Sequence, residues 1–320
     1  MATSATRSKR LTALQREALS GYAFISPWII GFLLFMAGPV LFSLLLSFCS
    51  WDGIGGLRDI HWVGISNFTQ MASDNRFYAS LWDTVYYTLF SVPLGIIAAI
   101  VVSLLMNQKI KGIALFRTIF YLPSVTAGVA AAILWYFIFQ PQQGLLNYGI
   151  NHLSALIHAV LPFIPAIHGP EWLADPKWSK PAFIIMSLWG IGNNMIIFLA
   201  GLQGIPEQMY EAAQIDGANS WQQFLNVTLP MLSPVIFFVM VLSIIGSFQV
   251  FTQAYILSPN GSPADSVLFY VLYLYQQAFS FHHFGYGSAM AWVLFVIILA
   301  ATLVQFKFSG WVYYEGELKK

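Results

Sequence analysis

Six apolar runs divide the chain: Tyr22–Phe48, Thr84–Met106, Thr118–Gln140, Ala182–Gln203, Met231–Leu257 and Tyr286–Phe306. Each reaches the ~20 residues a helix needs to cross a bilayer. In lipid a helix satisfies its own backbone, so internal breaks such as Gly38-Pro39 and Pro123 are tolerated. The pattern predicts an all-α membrane protein of six transmembrane helices. A seventh stretch, "INHLSALIHAVLPFIPAI" (Ile150–Ile167), is interrupted by Asn151, His152, His158, Pro162 and Pro165. It reads as an interfacial helix in an outside loop. The layout is then a tail over 1–21, a six-span domain over 22–306 and a second tail over 307–320.

The main polar interruption lies over 204–230, between spans four and five. "EQMYEAAQIDGANSWQQFLNVTLP" (Glu207–Pro230) holds three acids and neither Lys nor Arg. Pro206 suits the first helical position, where a missing N–H costs nothing. Glu207 and Glu211 complement the dipole of a helix starting there. Met209, Ala212 and Ala213 fall at i, i+3 and i+4 and form a small apolar face. Gly217 supplies a left-handed stop. "NSWQQ" offers two capping-box registers, Asn219/Gln222 and Ser220/Gln223, and Leu229-Pro230 should end this second helix. The stretch is a polar elbow with a face that another protein can grip.

Composition agrees with the spans. The chain is 58% hydrophobic and 8% charged, against about 45–50% and 25% in soluble domains. The first apolar run is too long for a signal peptide, whose apolar region spans about 7–15 residues. A net charge of +1 gives no electrostatic case for nucleic acid. The lone Cys49 has no internal partner for a disulfide.

Charge sets the expected orientation. Ten of the 14 basic residues (Arg7, Lys9, Arg10, Arg16, Lys109, Lys111, Arg117, Lys307, Lys319 and Lys320) fall on the side of both termini. The remaining four, Arg58, Arg76, Lys177 and Lys180, fall on the other. Both ends should therefore be cytoplasmic, with outside loops over 49–83, 141–181 and 258–285.

The six runs contain no Asp, Glu, Lys, Arg or His, the groups on which proton relays and voltage sensors depend. No lysine follows a glycine, so the chain has no P-loop and does not hydrolyse ATP itself. No metal site and no cofactor are expected. His282-His283 diverge as neighbours and have no carboxylate or Cys beside them. The polar residues within the runs suit something polar and uncharged. Asn193, Asn194, Gln249 and Gln253 offer donors and acceptors together. Trp189, four residues before Asn193, can share its face and stack on a sugar ring. Such residues also bond helices to one another.

Glu211-Ala212-Ala213, then Gly217, then Val227-x-Leu229-Pro230, at this spacing before a penultimate span, resembles the EAA motif of ABC-importer permeases. "SPWIIGFLLFMAGPVLFSLLLSF" (Ser26–Phe48), "WVGISNF" (Trp62–Phe68), "FRTIFYLPSV" (Phe116–Val125), "QPQQGLLN" (Gln140–Asn147), "FLAGLQGIPEQMYEAAQIDGA" (Phe198–Ala218) and "SFQVFTQAYIL" (Ser247–Leu257) are similar to permeases of the carbohydrate-uptake, maltose-permease-like type. The resemblance implies the type I importer fold. Glu211, Ala212, Ala213, Asp216 and Gly217 would form a cytoplasmic coupling helix that docks on an ATPase. It implies as partners a second homologous permease, two ATP-binding cassette subunits, an extracytoplasmic solute-binding protein, membrane lipid and a sugar substrate, a neutral mono- or oligosaccharide. The location is the bacterial inner membrane. The alternative is a secondary transporter or channel for a small polar solute.

Overall fold

The computed structural model describes residues 12–54, 56–161, 163–165 and 168–313. Arg7, Lys9, Arg10, Lys319 and Lys320 of the charge count lie outside the described residues, as do Pro162 and Ile167 of the loop helix.

The first span is α1 (Ala13–Phe32) and α2 (Gly38–Leu46), joined by a wide π-helical turn over Leu33–Ala37. Pro39 has no N–H and its ring crowds the preceding turn; the wider turn absorbs both defects. A capping box between Thr12 and Gln15 starts α1 at Ala13, inside the stretch expected to be tail. α1 buries none of its side chains. A short antiparallel pair, β1 (Cys49–Ser50) with β2 (His61–Trp62), and α3 (Ser66–Ala72) lead to α4 (Asn75–Met106). The Asp74 side chain caps α4 by accepting from the Arg76 N–H at 2.9 Å.

The third span is sharply bent. α5 (Ile113–Val125) and α6 (Gly128–Ile138) meet at 99°. Pro123 weakens the last turn of α5, and Thr126 and Ala127 are extended, with ψ of 130° and 134°. The loop helix is α7 (Leu145–Val160), which begins before Ile150. Buried Asn147 holds its start, donating to the Pro141 and Pro170 carbonyls and accepting from Trp172 Nε1 at 2.7 Å. Leu153, Leu156 and Val160 remain exposed.

The fourth span is also broken: α8 (Pro176–Trp189) and α9 (Gly192–Gln203) differ in direction by 49°. A Cβ on Gly192 would lie 2.7 Å from the Phe120 carbonyl oxygen, so glycine lets α9 seat against α5. The elbow follows as α10 (Glu207–Ile215) and α11 (Ser220–Gln223). α12 (Leu229–Phe248) and α13 (Thr252–Leu257) form the fifth span, with non-helical backbone at Gln249–Phe251. α14 (Tyr270–Tyr275), with a π turn over Gln276–Ser280, precedes α15 (Phe284–Lys307), the sixth span.

α4 is the central rod, flanked by α8, α9, α12 and α14. Its N-terminal half packs into a large core with Phe183, Phe269, Tyr270 and Met290. Its C-terminal half meets Phe198, Leu232 and Val239. At the end away from the elbow, polar staples tie the loops together. Thr84 Oγ1 accepts the Tyr270 N–H at 2.8 Å, and the Ser179 and Ser266 hydroxyls pair at 2.7 Å. α4 and α8 start before their apolar runs, so each carries an ionisable residue just beyond its run. Asp83 Oδ1 and Lys180 Nζ pair at 2.8 Å, with side chains only 5% and 19% exposed.

Candidate translocation cavity and coupling elbow

Two of the helix breaks, at Gly190–Ile191 and Gln249–Phe251, border one cavity of about 340 Å³. Tyr87, Ser91 and Gly95 of α4 form one wall, Ser187 and Asn194 a second, and Ser243, Gly246 and Ser247 of α12 a third. Gln249, Phe251, Thr252 and Gln253 close it. Irregular backbone is tolerated at membrane depth where it lines such a cavity. Broken helices placed this way mark the binding sites of many transporters. Tyr87, Ser91 and Ser187 share this part of the lining. The lining contains amides and hydroxyls, and no acidic, basic or His side chain.

The structure brings Asn194, Gln249 and Gln253 together on this cavity. It separates the two residues expected to share a face. The bend between α8 and α9 falls between Trp189 and Asn193, so helical i, i+4 spacing does not apply to them. Trp189 packs edge-on against Trp135, with centroids 6.2 Å apart, and Asn193 is exposed. Tyr87, Ser187, Ser243 and Ser247 were not singled out from the sequence. Their signal was Gly190 and Gly246, glycines interrupting apolar runs beside small hydroxyls.

The elbow has the anatomy its residues dictate, with two differences. Pro206 is the N-cap of α10, with extended ψ of 133°, rather than its first helical residue. α11 does not end at Leu229-Pro230; it runs through a π turn (Phe224–Thr228) into α12 without a break, up to Phe248. Pro230 lacks the N–H an ordinary turn would use, and the wide turn accommodates it. Gly217 is left-handed, with φ +80°. Asn219 and Gln222 realise the first capping register, with bonds of 2.8 and 2.9 Å.

α10 buries no residue. Glu211, Ala212, Asp216 and Gly217 are exposed, and Ala213 is half-buried. Ile215 is 87% exposed and Trp221 66%. One anchor is the Tyr210 hydroxyl on Thr228 Oγ1 at 3.0 Å. The Lys109–Glu207 pair, at 3.6 Å and fully solvated, adds little. Between elbow and α4 lies an apolar recess lined by Ile97, Val101, Leu104 and Phe224. The elbow stands proud of the bundle.

Comparisons with known proteins agree with this anatomy. Residues 71–312 match the family model described as "binding-protein-dependent transport system inner membrane component". The probable ABC transporter permease protein YesP of Bacillus subtilis is 43% identical, over 97% of this chain and 96% of that one. The arabinooligosaccharides transport system permease protein AraP of the same organism is 33% identical, over 92% and 90%. The fold matches a chain of a bacterial ABC transporter that imports the acidic polysaccharide alginate, with a TM-score of 0.76 at 22% identity, over 95% and 98%. The chain therefore belongs to the binding-protein-dependent inner-membrane components, the multi-pass permease subunits of ABC transporters.

Proposed function

We propose that this permease imports a neutral carbohydrate across the bacterial inner membrane by alternating access. The observation that carries the reading is the cavity at the two helix breaks, lined by amides and hydroxyls without formal charge. An uncharged saccharide needs donors and acceptors together, which Asn194, Gln249 and Gln253 supply. A uronate would need a cationic partner to offset desolvation of its carboxylate. The relative AraP, named as an arabinooligosaccharide permease, favours the same substrate class.

In this reading the elbow is cytoplasmic and docks on an ATP-binding cassette through Glu211, Ala212, Ala213, Asp216 and Gly217. A second homologous permease completes the pathway. Closure of two ATPase subunits draws the elbows together and opens the cavity toward a docked solute-binding protein. The unburied face of α10 supports this role, because the bundle makes no use of it.

The test is reconstitution. A panel of neutral di- to tetrasaccharides and uronate oligomers is screened for thermal stabilisation of the cognate binding protein. Uptake of the stabilising compound is then measured in proteoliposomes. A neutral saccharide should be taken up only with ATP. Asn194→Ala and Gln253→Ala should each remove one hydrogen bond, about 0.5–1.5 kcal/mol, and raise the half-saturating concentration about two- to twelve-fold. Uptake of uronates alone, or uptake that persists without the ATPase, would overturn the reading.

A further inference from the structure

A chain of aromatic rings leaves the central cavity and runs toward the end of the molecule opposite the elbow. Phe251 lines the cavity. Its ring lies 5.4 Å from Tyr255 and 5.1 Å from Tyr275, which are 5.2 Å from each other. Tyr275 continues to Phe279 at 5.1 Å, Phe279 to Phe284 at 5.3 Å, and Phe284 to Trp51 at 5.4 Å. Tyr255 is 43% exposed and Phe279 54%.

Polar groups accompany the track. Beside Tyr255 and Tyr275 opens a recess of about 470 Å³, to which Arg76, Asn260, Gln276 and Ser280 also contribute. Gln276 is only 7% exposed. Its Nε2 donates to the Pro259 carbonyl at 2.8 Å, but its buried Oε1 has no hydrogen-bond partner. At the far end Trp51 Nε1 is likewise buried without a partner, beside a smaller recess shared with Asn67, Gln70 and His283. Buried polar atoms in folded proteins are almost always satisfied, so an orphan on a side chain that lines a recess leaves a bond for a guest to supply. The one cation at the larger recess, Arg76, is committed to Asp265 through Nε and Nη2, at 3.0 and 2.9 Å. The recess therefore combines aromatic faces, a free amide acceptor and balanced charge.

We propose that this recess is a second saccharide subsite, which receives a neutral sugar and passes it along the ring track to the central cavity. Aromatic faces hold the C–H face of a sugar ring, and Gln276 Oε1 accepts one hydroxyl. Successive rings at this spacing let the guest exchange one face for the next without leaving contact. The subsite rests on the carbohydrate reading above, and the test separates the two.

In a Cys49→Ser background, Ser280→Cys reports on the recess and Ser243→Cys on the central cavity. The assembled importer in nanodiscs is treated with a small impermeant thiol reagent, with and without a mixture of neutral pentose and hexose di- to tetrasaccharides. The saccharides should slow modification several-fold at both positions. Adding Gln276→Leu should remove protection at position 280 and leave it at position 243. Protection at 243 alone would overturn the subsite and leave the carbohydrate reading standing. Protection at neither would overturn both. Failure of position 280 to react at all in the assembly would mean that the second permease covers this face, and the subsite would fall.

Discussion

Asp74 serves two structures at once. One carboxylate oxygen caps α4, and the other receives the hydroxyls of Tyr273 and Tyr286, the latter at 2.7 Å. Burial alone would raise its pKa. Hydrogen bonds from the two tyrosines and from the Arg76 and Phe77 N–H groups outweigh this and hold it below the ordinary 3.8. A depressed folded-state value adds stability that is complete above pH 3.8 and fades as pH falls through the folded value. Asp74→Asn keeps a good cap but removes the charge. Wild type should melt above this variant at neutral pH, and the gap should close on acidification below 3.8; a constant gap across the titration would remove the charge from the account. None of this was legible in the sequence. Asp74 meets its tyrosines across 199 and 212 positions, and a pattern of nearby residues carries no such pairing. The three cavity residues were legible for the opposite reason. Asn194, Gln249 and Gln253 are amides inside apolar runs, and an amide in lipid announces a partner.

The elbow's shape follows from local rules, and its variants should behave accordingly. Gly217 has open space around its Cβ position, so only its φ of +80° forbids a side chain. Gly217→Val should cost roughly 1–2 kcal/mol at the turn and displace α11 relative to α10. Glu211→Lys reverses an exposed charge and leaves the fold untouched. Both variants should insert normally and lose solute-stimulated ATP hydrolysis in liposomes. Wild-type rates in both would reduce the elbow to a connector. The staple between α4 and α8 is a different kind of element. Lys180→Met strands a buried carboxylate, which should cost about 3–5 kcal/mol. Adding Asp83→Asn should recover most of it in thermal unfolding, whereas additive losses would deny the pairing. Apolar periodicity placed the helices within a few turns. It missed the bends at Thr126–Ala127 and Gly190–Ile191 because hydropathy reports what a residue prefers to touch and carries no direction. Pro123 and Gly190 marked where a bend could occur, and the packing of α9 on α5 decided its angle.

At the scale of the whole molecule, one end of the bundle carries the elbow, and the three longer loops gather at the other. The basic bias over the spans predicts that the elbow faces the cytoplasm. In a Cys49→Ser background, Ser220→Cys should resist an impermeant thiol reagent applied to intact cells, whereas Ser280→Cys should react. Labelling of position 220 from outside would invert the topology. The uneven burial of the first span has a consequence for biogenesis. α1 buries none of its side chains, and the span is fastened near its far end to α15. Trp292 Nε1 reaches Ser43 Oγ at 3.2 Å, the Phe284 N–H reaches the Trp51 carbonyl at 3.0 Å, and any Cβ on Gly285 would strike the Cys49 carbonyl oxygen. A ribosome delivers these partners in the reverse of convenient order. The first span to be inserted gains its β2 and Asn67 contacts early, but its fastening to α15 waits until the sixth arrives. A translation product cut short before Phe284 would leave the Trp51 carbonyl and Ser43 without these partners, and the span would be held at its exit by the β2 pairing and Asn67.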